Sequence, residues 1–187
     1  MIFDALRLDE IPGWLTREEA EWLHERAKKS KRVLEIGCFM GRSTVAMLAA
    51  TTMRDGPHSM VVIDTFDARE TSMAEKYAGD APLVLRHFVE NITHDRSLPL
   101  PLIIIGEACQ ARLFAPQFDF IFIDGAHDED SVRDDLETAR RVALPGCVVA
   151  VHDYGDPDRE GLTRAVDDFF APARPVVEAG SIAWGRI

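Results

Sequence analysis

One segment near the amino terminus constrains the fold of this chain more than any other: residues 31–44, with the sequence KRVLEIGCFMGRST. Its apolar run VLEI predicts a short buried strand, and a turn containing Gly37 and Gly41 follows it. Ser43 or Thr44 then stands at the start of a helix, where free backbone N–H groups attract a carboxylate or a phosphate. A strand, a glycine turn and a helix in this order are typical of a cradle for a nucleotide-type cofactor.

Glu35 ends that strand and bears on which cofactor fits the cradle. A carboxylate there would repel a dinucleotide pyrophosphate, but it would attract the ammonium of a cofactor that carries an amino acid, as S-adenosylmethionine does. The spacing E-x-G-x-x-x-G also places Phe39 where a dinucleotide fingerprint has its second glycine. The sequence therefore favours S-adenosylmethionine over NAD. The plain alternative is an ordinary strand-to-helix turn with two glycines.

Short apolar runs recur along the chain, separated by stretches of helical character. They predict strands at 33–36, 60–63, 102–105, 118–123 and 148–151. The helices between and after them are predicted at 43–51, 82–93, 107–114, 131–142 and 160–170. Because most of the strands are uniformly apolar rather than alternating, they indicate a parallel sheet covered by helices on both faces. Pro145-Gly146 is expected to close the crossover that follows the helix at 131–142.

Segments outside these strands carry their own signals. Thr16 and Glu19 form a capping box for a leader helix. Gly180-Ser181 separates two apolar stretches and predicts a hairpin at the sheet edge. The long irregular stretch 65–80 is expected to cover the active site. The chain, residues 1–187, is predicted to be one domain, with a leader helix region at 1–31 and the sheet core at 32–187.

Composition limits the classes of partner. The chain carries a formal net charge of −11, so its average field repels phosphate backbones and a nucleic-acid partner is not expected. Cys38, Cys109 and Cys147 have no paired metal-ligand spacing and are predicted to be buried free thiols, as in a reducing cytoplasm. No apolar run approaches the roughly 20 residues that span a bilayer, and the amino terminus does not resemble a signal peptide. A cytoplasmic protein without membrane contact is therefore expected.

Polar residues end the predicted strands, and in an open parallel sheet ligands bind beyond the carboxyl ends of the strands. These residues are Glu35, Asp64, Glu107, Asp124 and the pair His152-Asp153. A single acid at a strand end is ordinarily a solvated terminus, but five on one edge favour a binding site. Asp64 ends the second strand, a position from which a carboxylate accepts the protons of both ribose hydroxyls. Phe66, just beyond it, either lies against an adenine face or packs in the core.

Four segments of the chain resemble the class I S-adenosylmethionine-dependent methyltransferases. They are VLEIGCFMGRST at 33–44, VIDT at 62–65, FDFIFIDGAH at 118–127 and PGCVVAVHDY at 145–154. Within that superfamily the chain is most similar to a small methyltransferase-domain branch, which has Asp-Gly-x-His after the fourth strand and His-Asp-Tyr after the fifth. The resemblance extends from Arg32 to Tyr154.

The resemblance implies both a fold and a set of cofactor contacts. The fold is α/β, with a Rossmann-like seven-stranded sheet in the order 3-2-1-4-5-7-6, the last strand antiparallel and helices on both faces. The implied cofactor-binding residues are Glu35, Gly37, Cys38, Gly41, Ser43, Asp64, Thr65, Glu107, Ala108 and Asp124. Glu35 would lie at the methionine moiety, Asp64 at the ribose, and Glu107 with Ala108 at the adenine. Phe39 replaces the commoner glycine of the cofactor loop.

Asp124, His127, His152 and Asp153 form a second group, which is predicted to be catalytic and to face a methyl acceptor. More distant relatives, the catechol-type and the sugar or macrolide O-methyltransferases, hold a divalent cation between acids after these two strands, which here would be Asp124 and Asp153. His152 stands where those relatives carry a carboxylate, and Mg²⁺ prefers oxygen ligands, so a metal-free site is favoured over a softer divalent ion. In it, His127 or His152 either removes the acceptor proton or has a structural role.

The sequence therefore predicts a cytoplasmic methyltransferase that moves the methyl group of S-adenosylmethionine to a small-molecule acceptor, preferentially at a hydroxyl oxygen. The leader helix and residues 65–80 would form the acceptor pocket, either alone or with a second copy of the chain in a homodimer. Two alternatives stay open. One is a nicotinamide-dependent oxidoreductase, against which Glu35 and Phe39 argue, and the other is a non-catalytic cofactor-binding module.

Overall fold

A seven-stranded sheet forms the centre of the computed structural model, which describes residues 2–51, 60–68, 77 and 79–187. The strand order is β3-β2-β1-β4-β5-β7-β6, with β7 antiparallel to both of its neighbours and the remaining pairs parallel. The strands are β1 Val33–Ile36, β2 Met60–Asp64, β3 Leu102–Ile105, β4 Phe118–Ile123, β5 Ala143–Val151, β6 Val176–Ala179 and β7 Ile182–Arg186. The predicted Rossmann-like sheet and its strand order are confirmed.

Helices of the described residues cover both faces of this sheet. They are α1 Ile2–Ala5, α2 Arg17–Lys28, α3 Arg42–Thr51, α4 Ala81–His94, α5 Glu129–Val142 and α6 Glu160–Phe170, with 3₁₀ turns at Leu8–Glu10, Ala108–Leu113 and Pro157–Arg159. The first four helices contribute to a core on one face, and α5, α6 and the second 3₁₀ turn contribute to a core on the other. Because both faces are buried, the strands need apolar residues at consecutive positions.

The leader helix α2 begins as its sequence predicts. Thr16 accepts a hydrogen bond from the backbone N–H of Glu19, and the Glu19 carboxylate accepts one from the backbone N–H of Thr16 at 2.8 Å, which completes the capping box. Glu19 is also buried, although a charged first-turn residue is ordinarily solvated. Its carboxylate is therefore committed to contacts inside the fold.

The register of the central strands brings their carboxyl ends to one edge of the sheet. Ile36 of β1 pairs with Ile63 of β2 on one side and with Ile123 of β4 on the other. The chain leaves β1 towards β2 and β3, and later returns to place β4 and β5 on the opposite side. This reversal opens a crevice beyond the ends of β1 and β4, the usual ligand site of an open α/β sheet.

Three local predictions differ from the structure. Pro145 and Gly146 do not close a crossover, because β5 begins at Ala143 and includes them at an irregularity opposite Phe118 to Phe120. The helix predicted at 107–114 is a 3₁₀ turn. Strand β3 lies at the sheet edge, so its Leu102 and Ile105 are exposed rather than covered.

The cysteine prediction holds at two of three positions. Cys38 and Cys147 are buried free thiols, whereas Cys109 is free but exposed, because it lies on the outer surface of the 3₁₀ turn. Among the described residues, no helix has both the length and the apolar character needed to cross a bilayer. Of the long segment 65–80, residues 69–76 and 78 lie outside the described part of the chain.

Candidate active site

A cavity of about 470 Å³ lies beyond the carboxyl ends of β1, β2, β3 and β4, and we call it the sheet-edge pocket. Its volume suits a small-molecule ligand. The predicted cofactor residues that line it are Gly37, Asp64, Thr65, Glu107, Ala108 and Asp124. The structure thus brings together six of the ten positions that the sequence singles out for the cofactor.

Glu35 lies beneath this pocket and does not line it. Its side chain is fully buried and accepts hydrogen bonds from the hydroxyls of Ser43 and Thr44, the latter at 2.6 Å. Burial raises the pKa of Glu35 to about 8, against the effect of the two hydroxyl donors. The expectation that Glu35 faces a ligand ammonium does not fit this position. Its carboxyl instead fixes the first turn of α3 under the pocket.

The glycine turn is shaped by the protein's own packing. A Cβ at Gly37 would lie 2.2 Å from the backbone oxygen of Asp124, so this glycine lets the ends of β1 and β4 approach each other. Gly41 has φ +92°, and a Cβ there would lie 3.1 Å from Phe88. Gly41 and the buried Cys38 and Ser43 support the pocket from behind, whereas Gly37 also lines it. The close approach of β1 and β4 is thus a second reason for a glycine at position 37, beside its place in the pocket lining.

Asp64 reaches the pocket from the end of β2 and also holds the cofactor loop. Its Oδ2 accepts hydrogen bonds from the backbone N–H groups of Cys38 and Phe39, each at 2.7 Å. Its Oδ1 accepts one from the N–H of Phe66 at 2.5 Å. Each carboxylate oxygen has two lone pairs, so acceptor capacity remains at Oδ1 for a ligand hydroxyl.

Two aromatic residues beside Asp64 differ in their exposure. Phe39 has φ +45°, a left-handed conformation that glycine adopts without strain, so the loop follows a glycine-type path without a glycine. Its ring lies 5.4 Å from that of Trp14. Phe66 is buried and lies 5.3 Å from Phe88, which makes it a core aromatic.

Several pocket residues were not predicted from the sequence. The most informative are Asp67, Gly125, Ala126, Ser131, Asp134 and Asp135. The acidic start of α5 looks in the sequence like an ordinary solvated helix face, and Asp134 fits that description because it pairs with Arg112 at 2.6 Å. Asp135 does not, because its side chain is buried. The burial of Asp135 could have been predicted from the apolar periodicity of α5, because Asp135 lies on the same inward face of the helix as Val132 and Leu136.

The predicted catalytic residues meet behind the pocket around His152. His152 Nδ1 lies 3.2 Å from Asp124 Oδ1 and 3.2 Å from Asp153 Oδ1, and its Nε2 lies 3.3 Å from Glu19 Oε1. The carboxylates lie off the N–H directions, so these are ion pairs rather than aligned hydrogen bonds. Glu19, from the distant leader helix, is the member that sequence reasoning missed.

The carboxylates around His152 set its charge. Burial alone would lower the pKa of His152, but Asp124 and Glu19 raise it to about 10. Burial likewise opposes ionisation of Glu19, yet contact with His152 holds the pKa of that carboxyl well below its usual range. A protonated, 5% exposed imidazole is poorly suited to accept a proton from an acceptor molecule. His152 is therefore a structural cation in this arrangement.

His127 and Asp153 complete the cluster on its outer side. His127 Nε2 lies 3.0 Å from Asp153 Oδ2, and Arg159 contacts the same oxygen. Neither His127 nor Asp153 lines the sheet-edge pocket. Asp124 alone of the four predicted catalytic residues belongs to both the pocket and the cluster.

The same cluster has the ligand types of a metal site. Ligand atoms of Asp124, His152 and Asp153 all lie within 4.8 Å of one another. Two carboxylate oxygens and an imidazole nitrogen suit a divalent ion of intermediate softness better than Mg²⁺, which prefers oxygen ligands alone. The ligand types of these three residues are therefore compatible with a divalent cation.

The fold and the pocket together define a Rossmann-like α/β domain with a cavity at the carboxyl ends of β1 to β4. A family model described as "Methyltransferase domain" matches residues 34–154, from β1 to the end of the His152 segment. This match covers more than half of the chain. The protein belongs to this methyltransferase-domain family.

Solved structures share the fold over almost the whole chain. An O-methyltransferase from Bacillus cereus in complex with SAH has 17% identity and a TM-score of 0.63, with 98% of this chain and 87% of that chain covered. The SAH-bound methyltransferase PaMTH1 from Podospora anserina has 18% identity and a TM-score of 0.66, with 97% and 84% covered. The O-methyltransferase TomG from Streptomyces achromogenes, in complex with SAM, has 23% identity and a TM-score of 0.56, with 97% and 83% covered. At these identities the likeness is one of fold.

Proposed function

We propose that this protein transfers the methyl group of S-adenosylmethionine to a hydroxyl oxygen of a small molecule. The observation that carries the proposal is the sheet-edge pocket, which lies in a methyltransferase-family fold and is lined by Asp64, Glu107 and Asp124 at consecutive strand ends. The similar solved structures that hold SAM or SAH, two of which are O-methyltransferases, support both the cofactor and the acceptor atom.

The residues of the pocket fit the charges of this cofactor. S-adenosylmethionine carries a sulfonium and an ammonium, and the pocket lining is rich in carboxylates. In our proposal Asp64 binds the ribose through its remaining acceptor capacity, with Thr65 beside it, and Glu107 with Ala108 borders the adenine. Glu35, Cys38, Gly41 and Ser43 act from behind the pocket by fixing the loop and the start of α3.

The chemical step is an in-line displacement. The acceptor oxygen forms a bond to the methyl carbon while the carbon–sulfur bond breaks, so the sulfonium becomes the neutral thioether of S-adenosylhomocysteine. The acceptor proton leaves to a base. Asp124 is our candidate for that base, because it lines the pocket and is held in place by its contact with His152 at 3.2 Å. Alignment of the two substrates supplies most of the remaining rate enhancement.

A metal-assisted version is the second candidate, favoured by the convergence of Asp124, His152 and Asp153. These three residues would hold a divalent cation, and such an ion would lower the pKa of a coordinated acceptor hydroxyl. We retain the metal-free version because a protonated His152 already places a positive charge within 3.2–3.3 Å of the carboxylates of Asp124, Asp153 and Glu19.

Calorimetry tests the cofactor part of the proposal. We expect S-adenosylmethionine and S-adenosylhomocysteine to bind and NAD not to bind. Asp64→Ala should weaken binding at least tenfold, since a hydrogen bond to a charged acceptor contributes about 1.5–3 kcal/mol. Glu137→Gln, on the exposed face of α5, is the control. Tight NAD binding would overturn the assignment in favour of an oxidoreductase, and binding without turnover on any acceptor would favour a non-catalytic module.

A screen of small hydroxylated acceptors with EDTA-treated protein tests the catalytic part. In the metal-free version turnover survives chelation, and Asp124→Asn lowers it by roughly 10²- to 10⁴-fold. Turnover that disappears on chelation and returns with Mn²⁺ or Mg²⁺ would replace this version by the metal-assisted one. Measurements should include His152→Gln. If His152 is a structural cation, this variant should lose stability, and if His152 is a metal ligand, the variant should lose affinity for the metal.

A further inference from the structure

A buried carboxyl on α5 faces the sheet-edge pocket without a partner. Asp135 is 9% exposed, and the surface it retains is part of the pocket lining. Within residues 2–51, 60–68, 77 and 79–187, its carboxyl has no hydrogen bond or ion pair. The neighbouring pocket acids differ: Asp64 holds backbone N–H groups, Asp124 contacts His152, and Asp134 pairs with Arg112.

The charges around Asp135 disfavour its ionised form. Three carboxylates act on it through their charge, those of Asp134 on α5, of Asp128 at the N-cap of α5 and of Glu107 after β3. Arg112 is the nearby cation, but its guanidinium is held by Asp134 and by the Thr138 hydroxyl. Burial raises the pKa of Asp135 to about 7, and these acids add to the effect. Near neutral pH the carboxyl therefore holds its proton for much of the time.

The residues that line the pocket beside this carboxyl have small side chains or none. A Cβ at Gly125 would lie 3.1 Å from Asp135 Oδ2, so the glycine leaves this oxygen uncovered. Gly106, Ala108 and Ala126 also line this part of the pocket and add little bulk. Such a wall leaves room for a flat ring against the backbone.

A neutral carboxyl has a specific recognition pattern. It presents an O–H donor and a carbonyl acceptor side by side, whereas a carboxylate presents acceptors alone. Adenine offers the matching pair on one edge, an acceptor at N1 and a donor at the N6 amino group. We propose that Asp135, in its neutral form, binds this edge of the cofactor's adenine through two parallel hydrogen bonds. The inference rests on the proposed cofactor and names a further residue that binds its base.

Binding of S-adenosylhomocysteine, measured by calorimetry between pH 6 and pH 8, tests this inference. The wild type should lose affinity as the pH rises past 7, by several-fold over the range. Asp135→Asn should bind about as tightly as the wild type at pH 6 and show no such loss, because an amide keeps a donor and an acceptor side by side at every pH. Asp135→Ala should bind at least tenfold more weakly at pH 6, in line with the loss of two hydrogen bonds.

A base-modified probe separates recognition from a general structural effect. The 1-deaza analogue of S-adenosylhomocysteine keeps the amino group but has a C–H in place of N1. The neutral carboxyl then loses the acceptor for its O–H, whereas the carboxylate no longer faces the N1 lone pair. The wild-type preference for the adenine compound should therefore shrink as the pH rises, and Asp135→Ala should show little preference at any pH. Glu137→Gln on the same helix is the matched control, and circular dichroism checks that each variant folds.

Two outcomes would overturn the inference about Asp135, and only the second would also overturn the proposed function. If the wild type binds S-adenosylhomocysteine and Asp135→Ala binds it equally well with the same pH profile, Asp135 does not contact the base, while the proposed function stands. If the wild type binds neither S-adenosylhomocysteine nor S-adenosylmethionine, the proposed function and this inference both fail.

Discussion

Glu35 and Asp64 direct their oxygens to the same short stretch of chain, from the cofactor loop to the first turn of α3. Glu35 accepts from the hydroxyls of Ser43 and Thr44, and Asp64 accepts from the N–H groups of the loop. Two acids at neighbouring strand ends thereby fix the backbone that borders the pocket. At the residue scale, the rigidity of the pocket depends on these two carboxyls.

The first residue-scale prediction concerns Glu35 and pH. Its folded pKa is raised to about 8, so between pH 4.5 and 8 the folded chain holds a proton that the unfolded chain has lost. Stability contributed by this group is therefore fully present at low pH and falls as the pH rises through that window. Glu35→Gln, which stays neutral, should flatten this decline. Urea unfolding at pH 5, 6.5 and 8 measures it, and an unchanged slope in the variant would contradict the assigned burial.

The second residue-scale prediction concerns Phe39, whose φ of +45° is strained for any residue with a Cβ. Phe39→Gly loses the contact with Trp14 but removes the strain, whereas Phe39→Ala loses the contact and keeps it. The glycine variant should be the more stable of the two by about 1 kcal/mol. Chemical unfolding of the pair decides this. The reverse order, usual in helices and strands, would show that the loop does not follow a glycine-type path.

At the scale of elements, Glu19 ties the leader helix to the carboxyl-terminal hairpin and to the end of β5. It caps α2 through Thr16, accepts hydrogen bonds from the N–H of Ser181 at 2.9 Å and from its hydroxyl at 3.0 Å, and pairs with His152. Three segments far apart in sequence thus meet at one buried carboxylate. A helix outside the core strands becomes part of the site's support.

This arrangement predicts a large and specific loss of stability. Glu19→Ala leaves the buried His152 cation without one of its partners and uncaps α2, so it should destabilise the protein by about 3–5 kcal/mol. Glu18→Ala, one position earlier and exposed, should change stability by no more than about 0.5 kcal/mol. Thermal unfolding of both variants provides the comparison. Similar small effects would mean that Glu19 serves α2 merely as an ordinary cap.

The elements also show where sequence reasoning succeeds and fails. β1 and β4 were predicted residue by residue, because a strand buried on both faces must be a continuous apolar run. The early start of β5 was not, since the pair of Ala143 with Phe118 is separated by an irregularity from the pairs that begin at Val148, and such a pair leaves no mark in side-chain periodicity. The contact between Glu19 and His152 was missed for a different reason. It depends on how distant segments pack, whereas the local spacing around Glu19 already had a complete explanation as a capping box.

At the scale of the whole molecule, the topology gathers acids at one edge of an already acidic protein. The net charge is −11, and Asp64, Asp67, Glu107, Asp124, Asp134 and Asp135 all line the sheet-edge pocket. This convergence was predictable for the acids at strand ends, because parallel strands place their carboxyl ends on one edge. For α5 the apolar periodicity predicts only that Asp135 faces inward, and the approach of its acids to the pocket depends on how that helix packs. The result is a pocket with a negative field.

That field predicts different salt dependence for substrate and product. S-adenosylmethionine carries a net charge of +1 near neutral pH, and S-adenosylhomocysteine, which has lost the sulfonium, is net neutral. Since the screening length falls from about 10 Å at 0.1 M salt to about 3 Å at 1 M, added NaCl should weaken binding of S-adenosylmethionine several-fold and change binding of S-adenosylhomocysteine much less. Calorimetric titrations of both ligands across this range measure the difference. Parallel slopes for the two ligands would show that the acids of the pocket do not act on the sulfonium, and that the preference for substrate over product must come from shape.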